Sequence, residues 1–299
     1  MRSVFATFIT CFTLFNMGWT QSQQPESALR VGGLVAPAAS GGLAGGIKKP
    51  ELTGVDPVDL VRRSTQADKE NARRGSNYAF REHHYQRDLD ASGRPKGWHS
   101  RTWDVIGLEG STYRKLVMIN DHPLTAKRQK REAERLRKET ERRRDEAPDK
   151  RKNRLLHYNV ALPFDRFSEI YTFTLLGEET VAGRSAWVID GVPKPGFRPQ
   201  TDAEKEAANF HVKIWIDQDE AHPQALELTV SGGHSRLQKG TRARSEWTRL
   251  NDGTWMLKRT DITWGVRLFR VITLRGTTED TYSDFQRFQV DSKLVIDES

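Results

Sequence analysis

The last ninety residues of the chain consist of short segments in which apolar and polar residues alternate. Such alternation has a period of two and is typical of β-strands with one buried face. Turn-forming residues separate the segments, and no block with helical spacing interrupts them. The segments are Phe210–Ile216, Gln224–Val230, Arg242–Leu250, Trp255–Trp264, Val266–Leu274 and Thr281–Val290. Because consecutive strands without crossover helices pair antiparallel, the sequence predicts a mainly β protein with an antiparallel sheet.

The residues before this region add further strands and a few helices. Strand-like segments are Asn77–Leu89, Trp98–Leu108, Thr112–Ile119, Tyr171–Gly177 and Ser185–Gly191. Predicted helices are a segment that begins at Asp56-Pro57 and ends near Gly75, a stretch over Leu155–Ile170 interrupted at Pro163, and one or two turns over Asp202–Asn209. Asp56 is a favourable N-cap, and proline is favoured as the first helical residue. About eleven strands fit a single curved sheet in one domain.

The N-terminal residues predict export. A short positive start, Met1-Arg2, precedes an apolar core, Val4–Met17, and a polar stretch follows. This layout is that of a secretory signal peptide, and the core is shorter than a membrane-spanning helix requires. We therefore expect a signal peptide at 1–20, a Gly/Ala-rich linker at 21–55 and the β domain at 56–299, in a periplasmic protein. The only cysteine, Cys11, lies within the signal, so disulfides and thiolate metal sites are excluded from the mature chain.

The positive charge of the chain is concentrated in one segment. The formal net charge is +8, and Lys127–Arg154 holds fourteen Lys/Arg against seven Asp/Glu, so this segment supplies most of it. Strong helix formers dominate 127–147, and Leu136 is almost the only apolar side chain there. We expect a solvated helix that protrudes midway along the domain. An anionic membrane surface or an acidic protein is a possible partner, whereas nucleic acid is excluded by export and by the lack of interleaved aromatic residues.

The order of these features resembles the LolA/LolB-like superfamily, the lipoprotein carriers with an incomplete β-barrel. The likeness is closest to outer membrane lipoprotein-sorting proteins, and it covers about residues 56–296. The segments that carry it are Val181–Val188, Ile214–Asp217, Leu237–Gly240 and Thr281–Phe288. The resemblance implies a curved sheet with an N-terminal helix against its concave side. It also implies a carrier that holds a lipid or a lipoprotein acyl chain.

An apolar sheet face is the candidate ligand-binding site. A concave apolar face can hold acyl chains without any specific polar group, since each methylene removed from water contributes about 0.8 kcal/mol. Residues that point to one face of their strands are Ile214, Ile216, Leu226, Leu228, Val230, Leu268 and Ile272. The alternative is that these residues form a filled core. The protein would then be a non-enzymatic interaction module that uses its basic helix to meet an anionic surface or an acidic partner.

Enzymatic chemistry finds little support in the sequence. No phosphate-binding loop, nucleophile elbow or zinc-protease motif is present, so we expect no catalytic residue, no metal and no cofactor. His83 and His84 are adjacent and would face opposite sides of a strand, so they cannot chelate one metal together. The acidic stretch Asp217–Glu220 could bind Ca²⁺ but fits a hairpin turn better. A triad assembled from distant Ser, His and Asp stays open. We expect a monomer.

Overall fold

The computed structural model describes residues 54–147, 150, 164–232, 237–268 and 272–288. The predicted signal peptide, nearly all of the predicted linker and the first part of the Leu155–Ile170 helix lie outside these residues. The described helices are α1 (Pro57–Gly75), α2 (Ala126–Arg144), α3 (Phe164–Ile170) and α4 (Asp202–Ala207). The strands are β1 (Tyr78–Leu89), β2 (Pro95–Leu108), β3 (Ser111–Ile119), β4 (His122–Pro123), β5 (Tyr171–Val181), β6 (Arg184–Pro193), β7 (Phe210–Asp217), β8 (Pro223–Val230), β9 (Arg242–Arg249), β10 (Trp255–Leu268) and β11 (Ile272–Arg287).

All eleven described strands belong to one antiparallel sheet. Its order is β4-β3-β2-β1-β11-β10-β9-β8-β7-β6-β5, so the chain's first strands pair beside its last one. The sheet does not close, because β5 lies at one end and β3 with the short β4 at the other. Register shifts interrupt several strand pairs, including β5–β6 and β9–β10. Such bulges bend a strand and increase its twist. The predicted fold class, a curved antiparallel sheet with few helices, is confirmed.

Helix α1 covers one face of this sheet, which we call the inner face. The helix begins as predicted: the Asp56 carboxylate accepts a hydrogen bond from the Val58 amide at 3.0 Å, and Pro57 follows the cap. Leu60 and Val61 are buried and join the core with strand residues and with α3. Further along the helix the buried residues are polar, Asp68 and Asn71 among them. Apolar contacts therefore secure the first half of α1, and polar contacts secure the second.

Helix α2 is docked onto the sheet, and the predicted solvated, protruding helix is wrong in this respect. Two of its charged residues, Glu132 and Arg143, are buried. The Glu132 carboxylate accepts hydrogen bonds from the Leu116 amide and the Tyr113 hydroxyl, both at 3.1 Å. The sequence rule that failed is the requirement for an apolar face, because this helix docks through polar groups.

The contacts of α2 satisfy the open edge of β3. Arg135 donates to the Arg114 carbonyl at 2.8 Å, and Arg143 donates to the Thr112 carbonyl at 3.3 Å. Arg143 also donates to the Ser111 hydroxyl and to the Leu108 carbonyl at the end of β2, at 2.9 Å each. A strand at the end of a sheet presents unpaired amide and carbonyl groups that invite aggregation. Side chains of α2 occupy several of these groups in place of a further strand. The opposite side of the helix faces solvent.

Candidate ligand-binding face

The five predicted site residues on β7 and β8 lie together on the inner face. Ile214 pairs with Leu226 across the two strands, Val212 pairs with Leu228, and Phe210 pairs with Val230. Strand alternation places Ile216 on the same face. The exposed fractions of the five predicted residues are between 0 and 7%, and all five belong to the main core. The other two predicted residues, Leu268 and Ile272, are paired between β10 and β11, and their side chains lie outside the described residues.

Side chains from two helices and three tryptophans cover this apolar face. Helix α1 contributes Leu60 and Val61, and α3 contributes Phe167 and Ile170. The tryptophans, at the β9 and β10 end, are Trp247, Trp255 and Trp264. In this structure the face is therefore occupied by the protein's own side chains. An acyl chain would have to enter where α1 and α3 now pack.

Polar contacts hold the second half of α1 on the sheet. The Asn71 side chain donates to the Trp255 carbonyl and accepts from the Trp255 amide, both at 2.8 Å. The His222 ring stacks on the Trp255 indole with 5.0 Å between ring centres, and its Nε2 lies 3.9 Å from the Asp68 carboxylate. Burial lowers the pKa of His222 to about 4, so this imidazole is neutral at pH 7. The contact between α1 and β10 thus depends on a small set of polar groups.

The acidic turn Asp217–Glu220 is a hairpin turn. The Asp217 carboxylate accepts hydrogen bonds from Arg184 Nε at 2.6 Å and from Arg184 Nη2 at 2.9 Å. It accepts a third hydrogen bond from the Gln224 side chain at 2.7 Å. It also accepts the Asp219 and Glu220 amides of its own turn. These donors use its lone pairs, so this carboxylate closes the β7–β8 hairpin. Across the described residues no three His, Cys, Asp or Glu side chains are grouped as metal ligands.

Comparison with known proteins gives a match to one family model. Residues 93–223 match the model of the MucB/RseB N-terminal domain family. This match and the open eleven-stranded antiparallel sheet agree with the resemblance drawn from the sequence. Over residues 93–223 the chain is similar to the MucB/RseB N-terminal domain family. No curated protein sequence matches the chain.

Three solved structures are similar to the chain at low identity. A DUF1329 family protein from Desulfovibrio piger is 14% identical, with a TM-score of 0.32. The matched region spans 80% of this chain and 95% of that protein. A LolA superfamily protein from Nitrosomonas europaea is 11% identical, with a TM-score of 0.30. The matched region spans 79% of this chain and 95% of that protein. The complex structure of Pseudomonas aeruginosa MucA/MucB is 12% identical, with a TM-score of 0.24. The matched region spans 76% of this chain and 94% of that chain.

The sheet also has an aromatic and polar region on its inner face, which sequence reasoning missed. It lies on β1, β2, β3 and β11, and its side chains are mostly half-buried. The Phe80 ring lies 5.9 Å from Tyr282 and 6.1 Å from Phe285. The Arg114 guanidinium lies 3.9 Å from the centre of the Trp103 ring and is paired with Glu82 at 2.6 Å. A groove of about 410 Å³ runs beside Phe80.

Two histidines meet in the same region. His84 Nδ1 lies 2.6 Å from the Asp280 carboxylate, and the His84 ring centre is 6.0 Å from that of His99. Burial lowers the pKa of His99, and the nearby His84 lowers it further. His83 points to the opposite face, where it lies 2.9 Å from Asp121, so the predicted separation of His83 from His84 holds. None of the described histidine–aspartate pairs has a serine or threonine hydroxyl bonded to its histidine, and the described residues therefore show no triad.

Proposed function

We propose that the protein is an exported carrier or binding protein for an amphiphile or a lipoprotein acyl chain in the cell envelope. The observation that carries this proposal is the continuous apolar inner face beneath α1. Ile214, Leu226 and Leu228 lie side by side there. Apolar burial supplies affinity for an acyl chain without specific polar groups, and each methylene contributes about 0.8 kcal/mol. The family match supports a binding role in general.

The way α1 is held supports access to this face. Its second half is secured by polar contacts, chiefly the Asn71 pair with Trp255 and the buried Asp68 beside His222. Polar contacts of this kind contribute about 1 kcal/mol each, so this half of the helix can separate more readily than the apolar half. Release would begin at this half, and an incoming acyl chain would then replace Leu60 and Val61 of the apolar half with its own methylenes. Apolar burial then changes little between the free and the loaded protein.

Export and the absence of enzymatic chemistry belong to the same proposal. The apolar stretch Val4–Met17 after Met1-Arg2 favours export to the periplasm, where the MucB/RseB and LolA-like families are found. No described helix is both long and apolar enough to cross a membrane. We infer that the protein binds its ligand without chemically changing it.

The experiment combines two carboxylates on the inner face with two measurements. Replacing Ile214 and Leu228 with Glu places charges beside any bound acyl chain, which costs several kcal/mol unless they protonate. We expect binding of a fluorescent fatty acid to be lost while a cooperative melt is retained at a lower temperature, because release of α1 would admit water to the two carboxylates. Thr229→Glu is the matched control, because Thr229 neighbours Leu228 but faces the other side of the sheet beside Arg242. Unchanged binding in the double variant would contradict the proposed face.

A second candidate function is an interaction module with a permanently filled core. The observation that favours it is the near-complete burial of the five residues on β7 and β8. In that case the double variant should unfold, because a filled core has no water to solvate the carboxylates. Global unfolding together with a wild-type protein that binds no fatty acid would favour the module over the carrier.

A further inference from the structure

Helix α2 carries its charge unevenly. In its second half the exposed cations are neutralised within the helix or by the sheet: Arg137 pairs with Glu141 at 2.7 Å, Lys138 with Glu134 at 2.9 Å, and Arg144 with Glu109 at 2.8 Å. In its first half, four exposed cations form no ion pair with any described residue. They are Lys127, Arg128, Lys130 and Arg131, and we call them the basic surface.

This placement is unfavourable for the helix itself. The N-terminal end of a helix carries a partial positive charge, so cations in the first turn destabilise it and acids stabilise it. Helix α2 has no acid in its first turn, and its Thr125 cap makes no side-chain hydrogen bond. Lys130 lies in the next turn, where it acts electrostatically on Glu134 without forming an ion pair. The stability of the helix therefore does not account for the two cations in the first turn, Lys127 and Arg128. A negatively charged partner would account for them.

The basic surface is presented on a rigid support. Glu132 and Arg135, the next residues along α2 that contact β3, bind its backbone and the Tyr113 side chain. The cations are therefore held at a fixed place at the end of the sheet rather than on a loose arm. Pre-organised charges lose little conformational freedom when they meet a partner.

We propose that this basic surface docks the protein on a membrane that carries anionic lipid headgroups. A specific protein partner needs buried aromatic or apolar anchors. The large exposed apolar side chains among the described residues are Val58, Trp98, Val192 and Leu274, and none of them lies on α2. The surface thus offers charge without anchors, which suits a layer of anionic headgroups. Each basic residue close to such a layer strengthens binding by roughly fivefold.

The test is co-sedimentation of the full-length protein with vesicles. Phosphatidylcholine vesicles are compared with vesicles in which about one third of the lipid is phosphatidylglycerol. We expect binding to the anionic vesicles alone, with a loss of roughly 20-fold or more in the double variant Lys127→Gln and Lys130→Gln. Binding should also weaken as salt is added, because ionic screening acts on exposed charges.

The matched control is the double variant Arg137→Gln and Lys138→Gln. It removes the same charge from the same helix, but about 14 Å further along the axis at 1.5 Å per residue, beyond the screening length of about 8–10 Å. We expect the control to lose less than about threefold in binding. Melting curves verify that both variants fold. Equal losses in the two variants, or equal binding to neutral and anionic vesicles, would overturn the proposal.

Absent vesicle binding would overturn it as well, and an acidic protein would then be the better partner. The proposal does not depend on the carrier function, because fatty-acid binding is measured without vesicles. Retained fatty-acid binding in the basic-surface variant with lost vesicle binding would separate the two surfaces.

Discussion

Replacing Arg143 with methionine should destabilise the protein, because α2 is docked through this side chain. The Arg143 side chain is 7% exposed and contacts both the helix and the sheet. It donates to the Leu108 carbonyl and the Ser111 hydroxyl at 2.9 Å each, and its Nε pairs with Glu139 at 2.6 Å. Methionine keeps much of the volume and the helix propensity but provides none of these donors.

The expected loss of folding stability in Arg143→Met follows from the groups that lose their hydrogen-bond partner. Removing one member of a buried ion pair costs about 3–5 kcal/mol. Glu139 keeps two hydrogen bonds from Arg142, and these bonds together with Arg143 lower its pKa to about 2. Because this partner remains, we expect a smaller cost, about 2–4 kcal/mol. In a domain of this size, 1 kcal/mol corresponds to about 2–4 °C, so the melting temperature should fall by roughly 4–16 °C.

The control is the same substitution on the solvent side of the same helix. Arg137 has a side chain that is 62% exposed and one ion pair, with Glu141. Exposed pairs at this spacing contribute about 0.3–0.5 kcal/mol, so Arg137→Met should lower the melting temperature by no more than about 2 °C. Thermal unfolding followed by circular dichroism provides the comparison. Equal shifts in the two variants would refute the docking of α2 and restore the solvated helix predicted from sequence.

Two further predictions concern acid sensitivity and sheet packing. His222 has a folded pKa of about 4 against about 6.5 in the unfolded chain, so the unfolded state takes up its proton first and the stability of the fold should decrease by up to about 3 kcal/mol as the pH drops from 6.5 to 4. Denaturant titrations over this pH range should show a flatter profile for His222→Gln than for the wild type, and identical profiles would contradict the prediction. Gly276→Ala should destabilise the fold by about 1–3 kcal/mol, because a Cβ at this position would lie 2.4 Å from the Trp264 side chain. The control is Gly97→Ala, which has open space around it and should change the melting temperature little. Equal melting temperatures for the two variants would contradict the close packing of Gly276 against Trp264.

The strands were predictable because their information is local. Alternation within each segment and turns such as Asp90–Gly93 mark strands without reference to distant residues. The start of α1 was predictable for the same reason, since Asp56 and Pro57 act within one turn. These features gave the fold class and most element boundaries to within a few residues. The predicted strand Val266–Leu274 is wrong, because β10 continues through Gly265 to Leu268 and β11 begins at Ile272.

The docking of α2 was not predictable, because it depends on the order of strands in the sheet. Strand β1 pairs with β11, and this long-range pairing leaves β3 near an edge. Only an edge strand has free amide and carbonyl groups for Glu132 and Arg143 to bind. No feature within 127–147 indicates that such an edge lies nearby.

The candidate site likewise has one part that local sequence patterns predict and another part that depends on long-range strand pairing. Alternation placed Ile214 and Leu228 on one face, and the structure brings them together. The polar cluster of His84, His99 and Asp280 can be located only when the registers of the β1–β2 pair and of the β1–β11 pair are both known. The hairpin turn after Leu89 could have indicated the proximity of His84 and His99, but Asp280 joins them only through the pairing of β1 with β11.

Native mass spectrometry of the protein purified from the cell envelope tests the carrier function most directly. We expect a population with the added mass of a bound amphiphile, which is released on activation in the gas phase and is reduced in the double variant Ile214→Glu and Leu228→Glu. A single unliganded mass, unchanged after incubation with a fatty acid or a lipopeptide, would contradict it.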